Sequence, residues 1–154
     1  MRPFHPQYIL EALPQLVLYL PVTVGIVIGT VFFGSLLGVI MAAGRIRRGR
    51  VGRAFANLYI YIIRCVPSIV LLFLVYYGLP ELLIGFGINI NDAGKGFFVI
   101  TTFSLLFAAS MAEVFRSAYE AVDRGQREAA VSIGLTEFQA FYRIVLPQSV
   151  RVAI

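Results

Sequence analysis

Residues 128–147 read EAAVSIGLTEFQAFYRIVLP, and this stretch decides how the rest of the chain is understood. Glu128, Ala129 and Ala130 open a short helical turn. Upstream, Asp123 with Gln126 three residues on fits an N-cap and its reciprocal partner. The helix so begun runs to about Gly134, where glycine suits a left-handed stop. Thr136 with Gln139 repeats the capping pattern and starts a second helix. That helix places Phe138, Phe141, Tyr142 and Val145 in one apolar stripe, with Gln139 and Arg143 off it. Pro147 lacks an N–H donor and allows a kink or restart. The spacing therefore predicts helix, glycine turn, amphipathic helix and proline break. Taken alone, it also suits an interfacial helix-turn-helix with no partner.

The composition says what surrounds this stretch. The chain has 154 residues, 59% hydrophobic and 14% charged, with a mean hydropathy of +0.84. Soluble domains are nearer to about 45–50% apolar and about 25% charged, so this is a membrane composition. The net charge of +5 comes from arginine, Lys95 being the sole lysine. These arginines sit between apolar runs, where they set topology rather than bind nucleic acid. Cys65 is the only cysteine and His5 the only histidine. An intrachain disulfide and a zinc site built from several Cys or His ligands are thereby excluded. Lys95 has Asn89 where a P-loop needs its first glycine. The chain lacks a phosphate-binding loop, and any ATP used is bound by another subunit. No catalytic residue, metal ligand or cofactor of its own is assigned to it.

Residues 1–11 read as a short exposed lead-in, and a cleaved signal peptide is not expected, because the apolar run that follows is longer than an h-region. From Ala12 to Gly44 no residue is charged, which exceeds the ~20 residues of one bilayer crossing without reaching two. One long span is expected, entering at Pro14 or Pro21. Gly25 with Gly29, and Gly34 with Gly38, are small-xxx-small pairs of the kind that bring helix backbones together, although glycine is also simply common in membrane helices. Five arginines between Arg45 and Arg53 follow at once, as in a cytoplasmic loop under the positive-inside rule. Arg64 interrupts the next apolar run, and at the bilayer centre it would cost about 2.5–3.5 kcal/mol. Either residues 54–63 lie along the cytoplasmic interface and the span starts near Pro67, or Arg64 snorkels to the inner headgroups. Residues 81–95 suit an external loop. A third apolar run ends at Glu113, which shares a helix face with Arg116. It is either a functional acid at the membrane boundary or half of a structural pair at the water line. The expected layout is spans at about 13–44, 58–80 and 96–118, a cytoplasmic loop at about 119–147 and the start of a further span from about 148. The N-terminus lies outside.

Every fixed position of one family pattern is filled here: EAA, three residues, G, nine residues, I, one residue, LP. The stretch resembles the signature loop of permease subunits of binding-protein-dependent ABC importers. Two further pieces resemble the polar amino acid (histidine/glutamine/arginine-type) branch. Arg64, Pro67 and Tyr76–Pro80 match FRGTP…YYGLP, with Cys65 and Val66 replacing Gly-Thr, and Ala112–Arg116 is similar to AEIFR. The resemblance implies an all-α, polytopic bundle in the bacterial inner membrane. It implies a second permease subunit, cytoplasmic ATPase subunits that bind the ATP, and an external solute-binding protein. Glu128, Ala129, Ala130, Gly134, Leu135 and Pro147 would couple to the ATPase. Arg64, Thr101, Ser110 and Glu113 are candidates for the translocation path, although helical serine and threonine often bond only their own backbone. Family members carry one or two further spans, so the bundle is expected to be incomplete after Ile154. The rival readings are a permease for another small solute and an ATP-independent channel or carrier, which would need ionisable groups in mid-membrane.

Overall fold

The structure, a computed structural model, describes residues 7–46 and 49–153, the side chains of 7–11 and 153 excepted. His5, Arg47 and Arg48, used above, lie outside the described residues. The elements are α1 (Gln7–Ile46), α2 (Arg50–Cys65), α3 (Ser68–Phe73), α4 (Leu79–Ile84), α5 (Lys95–Glu120), α6 (Arg124–Ser132), α7 (Glu137–Ala140) and α8 (Leu146–Ala153). One π turn, Leu74–Gly78, joins α3 to α4, and another, Phe141–Val145, joins α7 to α8. No strand occurs among the described residues.

Among the described residues, two helices are each long and apolar enough to cross a membrane: the part of α1 from Ala12 to Ile46, 35 residues, and α5, 26 residues. At 1.5 Å per residue the shorter reaches about 39 Å. Neither Pro14 nor Pro21 starts α1, which runs through both. Each proline costs one backbone hydrogen bond, a loss that membrane helices tolerate where neighbouring groups re-satisfy the freed carbonyl.

α1 and α5 form the main packed pair. A Cβ on Gly34 would come within 2.8 Å of Phe107, and one on Gly38 within 2.8 Å of Met111 Cβ and 3.2 Å of the Ala108 carbonyl. These two glycines set the separation of the helices. Gly25, at the same spacing from Gly29, meets nothing within 4 Å, so the two glycine pairs are not equivalent. The core gathers around α5, with Ile60 and Ile63 of α2, Leu71 of α3 and Val75 packed near Phe98, Ala109 and Ala112. The Tyr59 hydroxyl donates to the Leu105 carbonyl at 2.8 Å and ties α2 to the same helix.

The segment expected to span at 58–80 is not one straight helix. α2 and the run from Ser68 to Ile84 meet at a bend of 109°. Pro67 causes it. A residue before proline is pushed out of the helical region, and Val66 is extended at φ −90°, ψ 127°. Pro67 then caps α3. The geometry is that of a helix restarting at Pro67.

The proline break expected at Pro147 is also corrected. Helical structure continues from Glu137 to Ala153 through the second π turn, where the Leu146 N–H donates to the Phe141 carbonyl five residues back. In α geometry a proline ring collides with the carbonyl four residues before it and offers that carbonyl no donor. The widened turn relieves both problems. Leu79–Pro80 follows the first π turn in the same register, so both Leu-Pro pairs are accommodated alike.

Candidate functional site: the helix-turn-helix after α5

α6 begins at Asp123, whose Oδ1 accepts from the Gly125 N–H at 2.7 Å. This cap replaces the expected reciprocal pair with Gln126. Glu128, Ala129 and Ala130 run on from the middle of α6 rather than opening it. Ala130 is buried, while Glu128 and Ala129 are exposed.

The stop after α6 is a Schellman motif. Gly134 has φ +92°, its N–H bonds the Val131 carbonyl at 3.0 Å, and the Leu135 N–H bonds the Ala130 carbonyl at 3.1 Å. A side chain at such a positive φ is strained, so Gly134 is required by the turn itself. The paired bonds satisfy carbonyls that a helix end leaves open. One residue later the expected capping box is present. Thr136 Oγ1 accepts from the Gln139 N–H at 3.3 Å, and Gln139 Oε1 accepts from the Thr136 N–H at 2.9 Å.

Across this turn Arg127 grips Glu137 with two bonds, Nε to Oε2 at 2.7 Å and Nη2 to Oε1 at 2.8 Å. Donating to the Glu137 carboxylate pushes the Arg127 pKa up, so the clasp stays charged. Helical spacing gave no sign of this pair, because only the turn brings its halves together.

The stripe Phe138, Phe141, Tyr142, Val145 does not stay on one buried face. Val145 is buried, but Phe138 and Tyr142 are 75% and 62% exposed, their rings stacked at 6.3 Å. The π turn changes the angular step along the helix and splits the stripe. Ile133 is 81% exposed, so the outer side of the knuckle presents apolar groups as well as Glu128.

Behind the knuckle is a cleft of about 1080 Å³, lined among others by Arg45, Arg53, Arg116, Glu120, Arg124 and Arg127. Glu113 lies between Arg45 of α1 and Arg116 of its own helix, and Arg116 also pairs with Glu120. The Arg116 pairing was expected. Arg45, read as a loop residue, instead joins α1 to α5 through Glu113. The other candidates for a path are dispersed. Arg64 is exposed at the end of α2, Thr101 is half-buried, and Ser110 is exposed, with its hydroxyl on the Leu106 carbonyl at 3.3 Å. Ser110 stands half a helical turn round from Thr101, so those two share no face of α5. The buried polar residues of α5 are instead Thr102 and Ser104, and Thr102 bonds its own backbone at Phe98.

Comparison with known proteins accords with this arrangement. The L-cystine transport system permease protein TcyL of Bacillus subtilis (strain 168) is 40% identical over 148 residues, 96% of this chain and 62% of that one. The probable amino-acid ABC transporter permease protein PatM of Vibrio harveyi is 40% identical over 151 residues, 98% of this chain and 66% of that one. A solved structure described as an amino acid ABC transporter with histidines superposes with a TM-score of 0.78 at 28% identity, covering 97% of this chain and 66% of that one. The chain thus spans slightly less than two thirds of the length of these relatives. The family described as "Binding-protein-dependent transport system inner membrane component" matches residues 34–154, and the chain belongs to that family.

Proposed function

We propose that the chain is a permease subunit of an ATP-driven importer that moves polar amino acids across the bacterial inner membrane. The N-terminus lies outside and the α6–α7 knuckle in the cytoplasm, with the surrounding arginines on the same side. ATP is bound and hydrolysed by separate ATPase subunits. A second permease subunit completes the pathway, and an external binding protein delivers the solute. The amino acid class rests on the names of TcyL and PatM and on the match of Arg64, Pro67 and Tyr76–Pro80.

The observation that carries the reading is the set of bonds that braces the exposed knuckle. A Schellman stop at Gly134, a capping box at Thr136 and the Arg127–Glu137 clasp hold α6 against α7. Such a unit transmits a push instead of absorbing it. Glu128 and Ala129 present one side of α6 to the ATPase, Ala130 and Leu135 lock its end, and Pro147 passes the movement into α8 through a π turn. Closure of the ATPase dimer then rocks the spanning helices as rigid bodies. Of the candidate path residues, Thr101 and Ser110 remain on α5, whereas Glu113 braces α1 against α5.

Gly134→Asp tests the coupling. Uptake is expected to be lost while membrane insertion and abundance stay normal; near-normal uptake would overturn the coupling role. Orientation is checked separately with Thr136→Cys in a Cys65→Ser background. That thiol is expected to be shielded from impermeant reagents added outside intact cells.

A further inference from the structure

We infer that α2 lies flat in the cytoplasmic leaflet and that Arg50 and Arg64 hold the phosphate groups of anionic phospholipids there. At about 100° per residue the helix divides into three sectors. Ala56, Ile60 and Ile63 are buried against the rest of the protein. Val51, Phe55, Leu58 and Ile62 form a second sector, all exposed, from 49% at Ile62 to 83% at Val51. Arg50 and Arg64 fall in the third, about 40° apart, and both are exposed; Arg53, on the same side, lines the cleft described above. An apolar face beside a basic one is the pattern of a helix lying at a membrane surface.

Two observations set its attitude. Arg50 and Arg64 are fourteen residues apart, about 21 Å along the axis. Were α2 to cross the bilayer, one of them would be carried deep into hydrocarbon, at a cost that an in-plane helix avoids. The 109° bend at Val66–Pro67 lets the following helices cross while α2 does not. Charge chooses the occupant. No Asp or Glu occurs between Glu11 and Glu81, so the segment that carries Arg50 and Arg64 holds no acid of its own. The exposed apolar sector next to them needs acyl chains. A layer of anionic phospholipid supplies both. Basic clusters next to a span attract such lipids at about fivefold in association per residue, corresponding to ~1 kcal/mol.

The inference rests on the orientation proposed above for its choice of leaflet. It is tested with the full chain in nanodiscs, using spin-labelled phosphatidylglycerol and spin-labelled phosphatidylcholine as probes. The wild type is expected to prefer phosphatidylglycerol, less so as salt rises. Arg50→Gln and Arg64→Gln are each expected to lower that preference by up to about fivefold, while Arg50→Lys/Arg64→Lys retains it. An equal preference in wild type and Arg50→Gln/Arg64→Gln, as a protein-covered face would give, overturns the arginine contact. Cys65, the native single cysteine and exposed at the end of α2, reports depth without any substitution. A nitroxide there is expected at headgroup depth, and one found at the bilayer centre overturns the in-plane helix. If Thr136→Cys is open to reagent from outside, the orientation and the leaflet named here both fail, whereas a flat lipid preference with that thiol shielded removes the α2 contact alone.

Discussion

Gly134 and Arg127 stabilise one turn by different means, and substitutions should separate them. Gly134 supplies a backbone conformation. Gly134→Ala is expected to cost about 1 kcal/mol through strain at positive φ, read as a lowered unfolding midpoint in detergent. Arg127 and Glu137 supply a side-chain clasp that is largely in water, at 46% and 64% exposure. Removing either is expected to cost ~1 kcal/mol or less, yet to loosen the knuckle. A spin label at Ser132 should gain mobility in Arg127→Ala and regain order in Arg127→Glu/Glu137→Arg. If the reversed pair leaves the label as mobile as the single variant does, the clasp is not what orders the turn. The glycine and the capping box were legible because they act within six residues of chain. The clasp was not, because its halves meet only after the turn has formed.

Among the elements, the α1–α5 pair offers the sharpest contrast. Gly38→Leu drives a side chain into Met111 Cβ and the Ala108 carbonyl, neither of which can swing aside. Overpacking of this kind costs about 1–3 kcal/mol. Gly25→Leu meets open space and is expected to be silent in the same thermal unfolding assay. Equal effects at the two sites would refute the contact. Spacing alone offered both glycine pairs equally, since a repeat of four names a helix face without saying what lies against it. The two Leu-Pro pairs teach the same lesson. Proline announced an irregularity at Pro147 and was not read as one at Pro80, yet a π turn precedes both; at Pro147 the packing of α8 on α5 accompanies the widened turn.

For the whole molecule, the charge cluster of Arg45, Glu113, Arg116 and Glu120 joins the ends of α1 and α5 beside the cleft. Its side chains are partly buried, Arg45 at 19% exposure and Arg116 at 23%. Glu113→Gln leaves two guanidinium groups sharing a weaker acceptor and is expected to cost about 1–3 kcal/mol. In a double-mutant cycle, Arg45→Gln should cost much less in the Glu113→Gln background than in the wild type; additive costs would show that the α1–α5 bridge contributes nothing. On the proposed function, Glu113→Gln should still co-purify with the proposed ATPase subunits, whereas Gly134→Asp should lose uptake, not membrane insertion.

By itself the sequence determined the all-helical membrane class, the signature loop, the local stop at Gly134 and the helix start at Thr136. Hydropathy, caps and left-handed turns are properties of a few neighbouring residues, and they do not wait for distant partners. Only the tertiary structure decided which glycines touch α5, that α2 turns aside at Pro67, that Arg45 reaches Glu113, and that the aromatic stripe opens outward. Each of these depends on which surfaces meet once the helices pack, and periodicity along one helix carries no record of its neighbour.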